Sequence, residues 1–246
     1  TRFIPFSVMT GFMTGVAAMI IIGQLGDLTG YYSSYSGKIV QLADLIINWQ
    51  SIAWTTLAIG LLTILLIYGL GKTRVSKFSL IFALVLASGL ALLLNYAFAA
   101  DIKLVKDISE VPRSLPSLVL PSLSLVGALI IPAIAVGIIG LVQGAGVSQT
   151  FPNPDGKFSD VSRDFLGQGA ANIAAGFFGG IPAGGSSSGS ALMISAGARS
   201  RWANIFGGIA VALVVLLFAN LVELVAMPAL AGLVIVAGIQ MINVSA

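Results

Sequence analysis

Charged residues divide this chain into long uncharged blocks with only short charged segments between them. Seven of these blocks are long enough for a helix that crosses a bilayer, which needs roughly 20 predominantly apolar residues. Seven successive blocks of this kind argue against the core helices of a large soluble protein, so the pattern predicts several membrane spans. The blocks are residues 3–26, 45–71, 78–100, 114–154, 165–198, 202–222 and 224–246.

Within these blocks the pattern predicts an all-α, polytopic integral membrane protein. The two segments within residues 162–198 are predicted to be short or broken. Gly11 and Gly15 form a small-xxx-small pair in the first span, a pattern typical of close helix packing. We expect spans near residues 5–25, 50–70, 78–98, 122–148, 162–180, 185–198, 202–220 and 224–243.

The composition agrees with the pattern. Hydrophobic residues make up 57% of the chain and charged residues only 9%, whereas soluble domains carry about 25% charged residues. The sequence contains no His and no Cys, which excludes histidine and thiol catalysis, disulfides and the usual zinc ligands. We therefore expect no catalytic residues, no metal and no cofactor, and we do not expect an enzyme.

The charged segments suggest how the chain is oriented and what it contacts. Lys72, Arg74 and Lys77 follow the second span without an acidic residue, which places them in the cytoplasm, and the segment 27–44 then lies outside. The net charge of +3 comes from 12 basic and 9 acidic residues scattered between apolar blocks, so nucleic acid is not an expected partner. Because residue 1 is Thr and the sequence ends just after a span, we expect a piece of a longer protein.

One uncharged block contains a pattern that interrupts a helix. The Gly-Gly-Ile-Pro run at 179–182 breaks the helix, and Ser186 to Ser188 follow where a new helix can begin, as N-cap and first-turn residues. A helix N-terminus carries unpaired N–H groups and attracts anions without a basic side chain. Discontinuous helices of this kind are common in secondary transporters. The alternative is that Gly185 and Gly189 are only a packing motif.

These features resemble the SulP (sulfate permease) family of anion transporters over essentially the whole chain. The most specific part of the resemblance is the run from Gly-Gln-Gly at 167–169 to Gly-Ala-Arg-Ser at 197–200. Residues 3–24 resemble the family's fifth helix, 137–148 its eighth, 164–172 with 179–182 its ninth and the approach to its tenth, and 195–200 the end of its tenth.

The resemblance implies a fold of fourteen helices, made of two inverted seven-helix repeats and divided into core and gate subdomains. The substrate anion would lie between the facing N-termini of the third and tenth helices, so the break in the tenth helix marks half of the site. This chain would hold helices five to twelve. The first four helices, the last two and the cytoplasmic STAS domain would be absent, and a homodimer would form through those missing parts.

The resemblance also assigns candidate site residues. Gly185, Ser186 and Ser187 fall on the substrate contacts of the tenth helix. Many members carry an Asp or Glu on the eighth helix, thought to bind a coupling cation or proton, and this position is Gln143 here. Sodium-coupled members have a hydroxyl residue one turn later, where this chain has Val147. We therefore expect Gln143 to donate to the anion and transport not to be driven by a cation at this position.

The implied function is secondary active transport of small inorganic anions, of the sulfate, bicarbonate or chloride class, by alternating access. Such a protein would be a multi-pass protein of the plasma membrane or the bacterial inner membrane, with the anion and the lipid bilayer as partners. The alternatives are an anion channel-like protein and a dicarboxylate or nucleobase transporter on the same fold. Nucleobase transporters usually place carboxylates on the eighth and tenth helices, and Gln143 and Ser186 to Ser188 offer none.

Overall fold

The computed structural model of the chain describes residues 6–153, 156–186, 189–190, 193–194 and 197–242. The described residues form helices joined by turns and extended segments, which confirms the all-helical class. The helices are α1 (Phe6–Gly23), α2 (Leu25–Thr29), α3 (Lys38–Ile47), α4 (Trp54–Gly71), α5 (Ser79–Phe98), α6 (Val126–Thr150), α7 (Val161–Phe177), α8 (Trp202–Glu223) and α9 (Met227–Met241).

Four helices among the described residues are long and apolar enough to cross a bilayer. They are α4, α5, α8 and the stretch Leu123–Thr150, which contains α6 and the short turn before it. Two shorter apolar stretches, Thr14–Thr29 and Met227–Gln240, include parts of α1, α2 and α9. Large hydrophobic side chains are exposed along all four long helices, as is expected where lipid rather than water surrounds the protein.

The chain forms two compact units. One consists of Thr10–Val111 and Leu217–Ala246, and we call it the α4–α5–α9 unit. The other consists of Thr1–Met9 and Pro112–Leu216, and we call it the α6–α7 unit. Helix α8 belongs to both units and leaves helical geometry at Phe218, where φ is −119° and ψ is 23°.

Glycines let the helices of the α4–α5–α9 unit approach closely. A Cβ atom added to Gly232 of α9 would lie 2.8 Å from the carbonyl oxygen of Gly60 on α4. A Cβ atom added to Gly238 would lie 2.9 Å from Cγ1 of Ile21 on α1. Small residues at helix contacts allow the van der Waals packing that holds membrane helices together. These two glycines therefore set how near α9 comes to its neighbours.

The segment after α5 is fixed to the same unit by hydrogen bonds. The Asn95 amide accepts from the backbone N–H of Ile102 and donates to its carbonyl, both at 2.8 Å. The buried N–H of Ala226 donates to the hydroxyl of Ser88 at 3.1 Å. These bonds surround the largest buried cluster, which contains Ile59, Ala87, Ala91, Ile102, Leu104, Ala226 and Ala229.

Two features of the first hundred residues differ from the sequence predictions. A Cβ atom added to Gly11 or Gly15 would meet no atom within 4 Å, so the expected close packing at this pair is wrong for the described part of the chain. The segment 27–44 was expected only to connect spans, yet most of α2 and α3 lies in it. A small-xxx-small pair shows that close approach is allowed, but it does not show that a partner is present.

The Gly232 contact gives a test of packing in this unit. We expect Gly232→Ala to lower the free energy of unfolding by about 1–3 kcal/mol, because its methyl group would press on the backbone of Gly60 and on Thr63. Gly69→Ala on α4 is the matched control, because no atom lies within 4 Å of the added methyl group. Thermal unfolding in detergent measures both variants. Equal unfolding temperatures for the two would contradict the close approach of α4 and α9.

Candidate functional site

The chain leaves helix α7 at a pair of glycines, as the Gly-Gly-Ile-Pro pattern predicts. The N–H of Gly180 turns back to the carbonyl of Ala175 at 2.8 Å, and Gly179 adopts a φ of +67°, which favours glycine. Residues 181–186 then run without helical structure. An extended segment therefore lies in the middle of an uncharged block, where its backbone groups need partners.

A helix restarts at Ser186. Its hydroxyl oxygen accepts the N–H of Gly189 at 3.1 Å, and its carbonyl accepts the N–H of Ser190 at 2.9 Å. This is the N-cap geometry predicted from the sequence, in which the side chain satisfies an N–H that has no carbonyl partner within the helix. Gly189, Ser190 and residues 193–194 are helical. Ser187, another predicted site residue, lies outside the described residues.

A polar stripe on α7 holds the extended segment. Asp164, Gln168 and Asn172 are spaced four residues apart and so share one face of the helix. The Asn172 amide donates to the carbonyl of Ala183 at 2.9 Å and accepts its N–H at 2.8 Å. The Gln168 amide donates to the carbonyls of Ala183 at 3.3 Å and Gly140 at 3.2 Å. Sequence reasoning missed this role, although the four-residue spacing was visible.

Helix α6 presents a complementary face of small residues to α7. Gly140, Gly144 and Ser148 are also spaced four residues apart. A Cβ atom added to Gly144 would lie 2.6 Å from Oε1 of Gln168, so the glutamine side chain occupies the space that the glycine leaves. At the end of the stripe, the buried Ser148 hydroxyl donates to Oδ2 of Asp164 at 2.6 Å. Polar side chains on α7 thus meet a face of small residues on α6 over about two turns.

The end of the extended segment packs against the same helix. A Cβ atom added to Gly185 would lie 2.9 Å from Cα of Gly144 and 3.1 Å from Cγ2 of Val147. The nearer obstacle is backbone, which cannot move aside, so only glycine fits at position 185. A Cβ atom added to Gly184 would lie 2.6 Å from Oε1 of Gln143, so that side chain covers the backbone just before the new helix.

The structure therefore brings three of the four predicted site residues together, namely Gln143, Gly185 and Ser186. The Gln143 amide is half-buried, and nothing among the described residues forms a hydrogen bond with it. A half-buried amide without a protein partner is available to a ligand, since a polar group out of water is stabilised by hydrogen bonding. It lies beside the backbone that leads into the capped helix.

The chemistry of this site rests on neutral donors. Helix α6 carries no charged residue, and the described residues contain no cluster of acidic side chains that could hold a metal ion. The described residues here, the amide of Gln143 and the capping hydroxyl of Ser186, offer hydrogen-bonding groups rather than an acid or a base. This arrangement suits a small anion, because N–H donors at a helix start carry partial positive charge.

Comparisons with known proteins agree with the helical architecture and indicate a family. A sequence model described as the sulfate permease family matches residues 1–246. The bicarbonate transporter BicA of Picosynechococcus sp. is 27% identical over 243 residues, which are 97% of this chain and 42% of BicA. The putative sulfate transporter YvdB of Bacillus subtilis is 27% identical over 242 residues, or 96% of this chain and 45% of that protein.

A solved structure supports the fold. The transmembrane domain of a cyanobacterial bicarbonate transporter BicA superposes with a TM-score of 0.77 at 23% identity, covering 99% of this chain and 62% of that domain. At this identity the likeness supports the fold alone. The chain spans less than half of the length of the two relatives described above.

The paired hydrogen bonds of Asn172 give a test of the site's architecture. We expect Asn172→Ala to lower the free energy of unfolding by about 1–3 kcal/mol, because the N–H of Ala183 loses its partner and its carbonyl keeps only the longer bond from Gln168. Asn204→Ala on α8 is the matched control, since that exposed amide forms no hydrogen bond in the described structure. Thermal unfolding in detergent compares the two. If the unfolding temperature of Asn172→Ala falls no more than that of Asn204→Ala, Asn172 does not hold the extended segment 181–186.

Proposed function

Since this chain belongs to the sulfate permease family, we propose that it forms part of a secondary active transporter that moves small inorganic anions by alternating access. The chain is a segment of a multi-pass integral membrane protein. Relatives named as bicarbonate and sulfate transporters support anion transport in general. Because the chain spans under half of those relatives, the activity of the whole protein and its location in the cell membrane belong to the proposal.

The proposed architecture assigns the helices to the family's order. Helices α1, α4 and α5 take the places of the fifth to seventh helices, α6 and α7 those of the eighth and ninth, and the helix at Ser186 that of the tenth. Helices α8 and α9 then correspond to the eleventh and twelfth. On this assignment the α6–α7 unit is the core subdomain and the α4–α5–α9 unit belongs to the gate. Transport would use an elevator-like motion of the core.

The observation that carries the proposal is the unpartnered amide of Gln143 beside a capped helix start. Gly185 allows close approach of backbone, and Ser186 fixes the first turn through its cap. The first N–H groups of a helix have no carbonyl partners within that helix, so they can donate to an anion. We propose that Gly185, Ser186 and Ser187 bind the anion from this side and that the Gln143 amide donates to it as well.

The absence of charge on Gln143 supports a further part of the proposal, which concerns cation coupling. A neutral amide cannot take up a proton and is a poor sodium ligand by itself, and Val147 adds no oxygen one turn later. A carboxylate in this place would be costly within the membrane without a partner. We therefore propose that a cation bound at position 143 does not drive transport. An exchanger or an uncoupled carrier fits this site.

Anion affinity tests the role of Gln143. We expect Gln143→Leu to weaken binding of the transported anion by about 1.5–3 kcal/mol, the value of a hydrogen bond to a charged group. The measurement is a binding and uptake panel of sulfate, bicarbonate and chloride on the full-length protein in vesicles. Gln149→Leu is the matched control, because that exposed side chain lies on the same helix and forms no hydrogen bond in the described structure.

The same panel separates the alternatives. Saturable counterflow would support a carrier. Large single-channel currents would show instead that the protein is a channel. A sodium or pH dependence of uptake that disappears in Gln143→Ala would overturn the proposal that no cation is coupled there. Equal affinities of Gln143→Leu and Gln149→Leu for every anion would place the site elsewhere.

Ser186 has two roles that substitution can separate. Glycine caps a helix at a cost of only a few tenths of a kcal/mol, whereas alanine caps poorly. We expect Ser186→Gly to keep the unfolding temperature but to weaken anion affinity by about 1 kcal/mol or more, through loss of the hydroxyl. Ser186→Ala should lose stability and affinity together. If Ser186→Gly binds anions as the parent does, the serine acts only as a cap.

A further inference from the structure

Helix α3 turns its apolar side away from the protein. Its outward face consists of aliphatic residues on one arc of the helix, and no residue of α3 is buried. The exposed fractions of Ile39, Ile46 and Ile47 are 72%, 66% and 76%. This face is completed by Val40 and Ala43, so it carries no polar side chain.

The inward side of the same helix carries its hydrogen-bonding groups. Asp44 accepts the hydroxyl of Tyr31 at 2.9 Å, and Gln41 donates to the carbonyl of Tyr35 at 2.9 Å. Asn48, just after the helix, donates to Oδ1 of Asp44 at 2.9 Å. The hydrogen bond to Asp44 raises the pKa of the Tyr31 hydroxyl above its usual value, so this residue remains a donor.

Beneath this inward side is a cavity of about 170 Å³, which separates α3 from the ends of α1 and α2. Gln41, Leu42 and Leu45 of α3 line it together with Asp27 and Tyr32. The helix therefore rests on the protein through polar contacts around a cavity rather than through an apolar core. The packing of α3 against the described protein does not explain its aliphatic face.

This arrangement is the reverse of that in a water-soluble protein, where a surface helix turns its apolar stripe inward and its polar side to water. A helix of ten residues is also marginal in water on its own. An apolar medium outside α3 accounts for both observations. Because the chain belongs to a multi-pass membrane protein, we take this apolar medium to be the lipid bilayer.

The residues at the two ends of α3 indicate how deep it lies. Trp49 and Trp54 follow the helix and are both exposed, and Trp54 is the first residue of α4, which is long enough to cross a bilayer. Tryptophans of this kind mark the membrane–water interface. Lys38 begins the helix with an exposed side chain, and its ammonium group lies near Gly23 at the end of α1, so a positive charge marks this end of α3.

We propose that α3 is an interfacial helix that lies in the headgroup–acyl boundary of the bilayer, with its aliphatic face in contact with lipid. Large apolar side chains are also exposed along α4, at Trp54, Leu61 and Leu65. A second copy of the chain is a weaker candidate, because the single face of a ten-residue helix falls short of the about 800 Å² per partner of a stable interface. This inference does not depend on the proposed transport function.

Spin labelling tests the position of α3 in the full-length protein. A nitroxide is attached to one cysteine at a time, in a background without other cysteines and in vesicles of phosphatidylcholine with some phosphatidylglycerol. Ile47→Cys reports the outward face, and Gln41→Cys on the inward side is the matched control. Leu65→Cys on α4 and Glu110→Cys in the loop after α5 provide the hydrocarbon and water references. Accessibility to oxygen and to a neutral nickel chelate gives the depth.

We expect the label at Ile47 to favour oxygen over the nickel chelate and to lie roughly 5–10 Å below the phosphates, as interfacial helices do. The label at Gln41 should be shielded from both reagents. If Ile47 matches Glu110 in nickel accessibility, the face is in water and the proposal fails. If Ile47 is shielded from both reagents, protein covers the face, from a second copy or another part of the chain, and the proposal fails as well.

Tryptophan fluorescence provides a second measurement that leaves α3 unchanged. With every other tryptophan of the full-length protein replaced by phenylalanine, Trp49 is the single emitter. Phosphatidylcholine brominated near the top of its acyl chains should quench this emission more strongly than phosphatidylcholine brominated near the chain ends. Equal, negligible quenching by both lipids would contradict contact with the interface.

Discussion

Two hydrogen bonds between the Asn172 amide and the backbone of Ala183 hold the extended segment of the candidate site in place. Backbone that leaves a helix inside an apolar sequence must find partners within the protein, since lipid offers none. Asn172 supplies a donor and an acceptor at once, and Gln168 adds a bond that joins the segment to α6. The position of Gly185 against α6 and of the cap at Ser186 follows from this attachment.

The sequence predicted the helical class, the break at the Gly-Gly-Ile-Pro run and the new start at Ser186, because each of these depends on neighbouring residues. The role of Gln168 and Asn172 depends on which backbone lies opposite them, which a single sequence does not state. Their four-residue spacing from Asp164, on a helix with no other polar side chain after that residue, was the available signal. A polar stripe on such a helix indicates that polar backbone or side chains face it.

The packing of glycines shows a second limit of prediction from the sequence. Gly11 and Gly15 have the spacing of a packing pair, yet a Cβ atom at either would meet no described atom within 4 Å. Gly60 and Gly232 lie far apart in sequence and have no common motif, yet the added Cβ of Gly232 would strike the Gly60 carbonyl. Close approach is a property of two helices together, so a pattern on one helix cannot locate it.

One rule governs both the candidate site and α3. In each, hydrogen-bonding side chains turn toward polar groups of the protein, and on α3 the residues that face away from them are aliphatic. Asp44 on α3 bonds to Tyr31, and Asn172 on α7 bonds to Ala183, so neither group faces hydrocarbon alone. Gln143 departs from this rule, since its half-buried amide has no partner among the described residues. No fully buried side-chain N or O atom among the described residues lacks a hydrogen bond, so this half-buried amide stands out, and we propose that a ligand completes its hydrogen bonding.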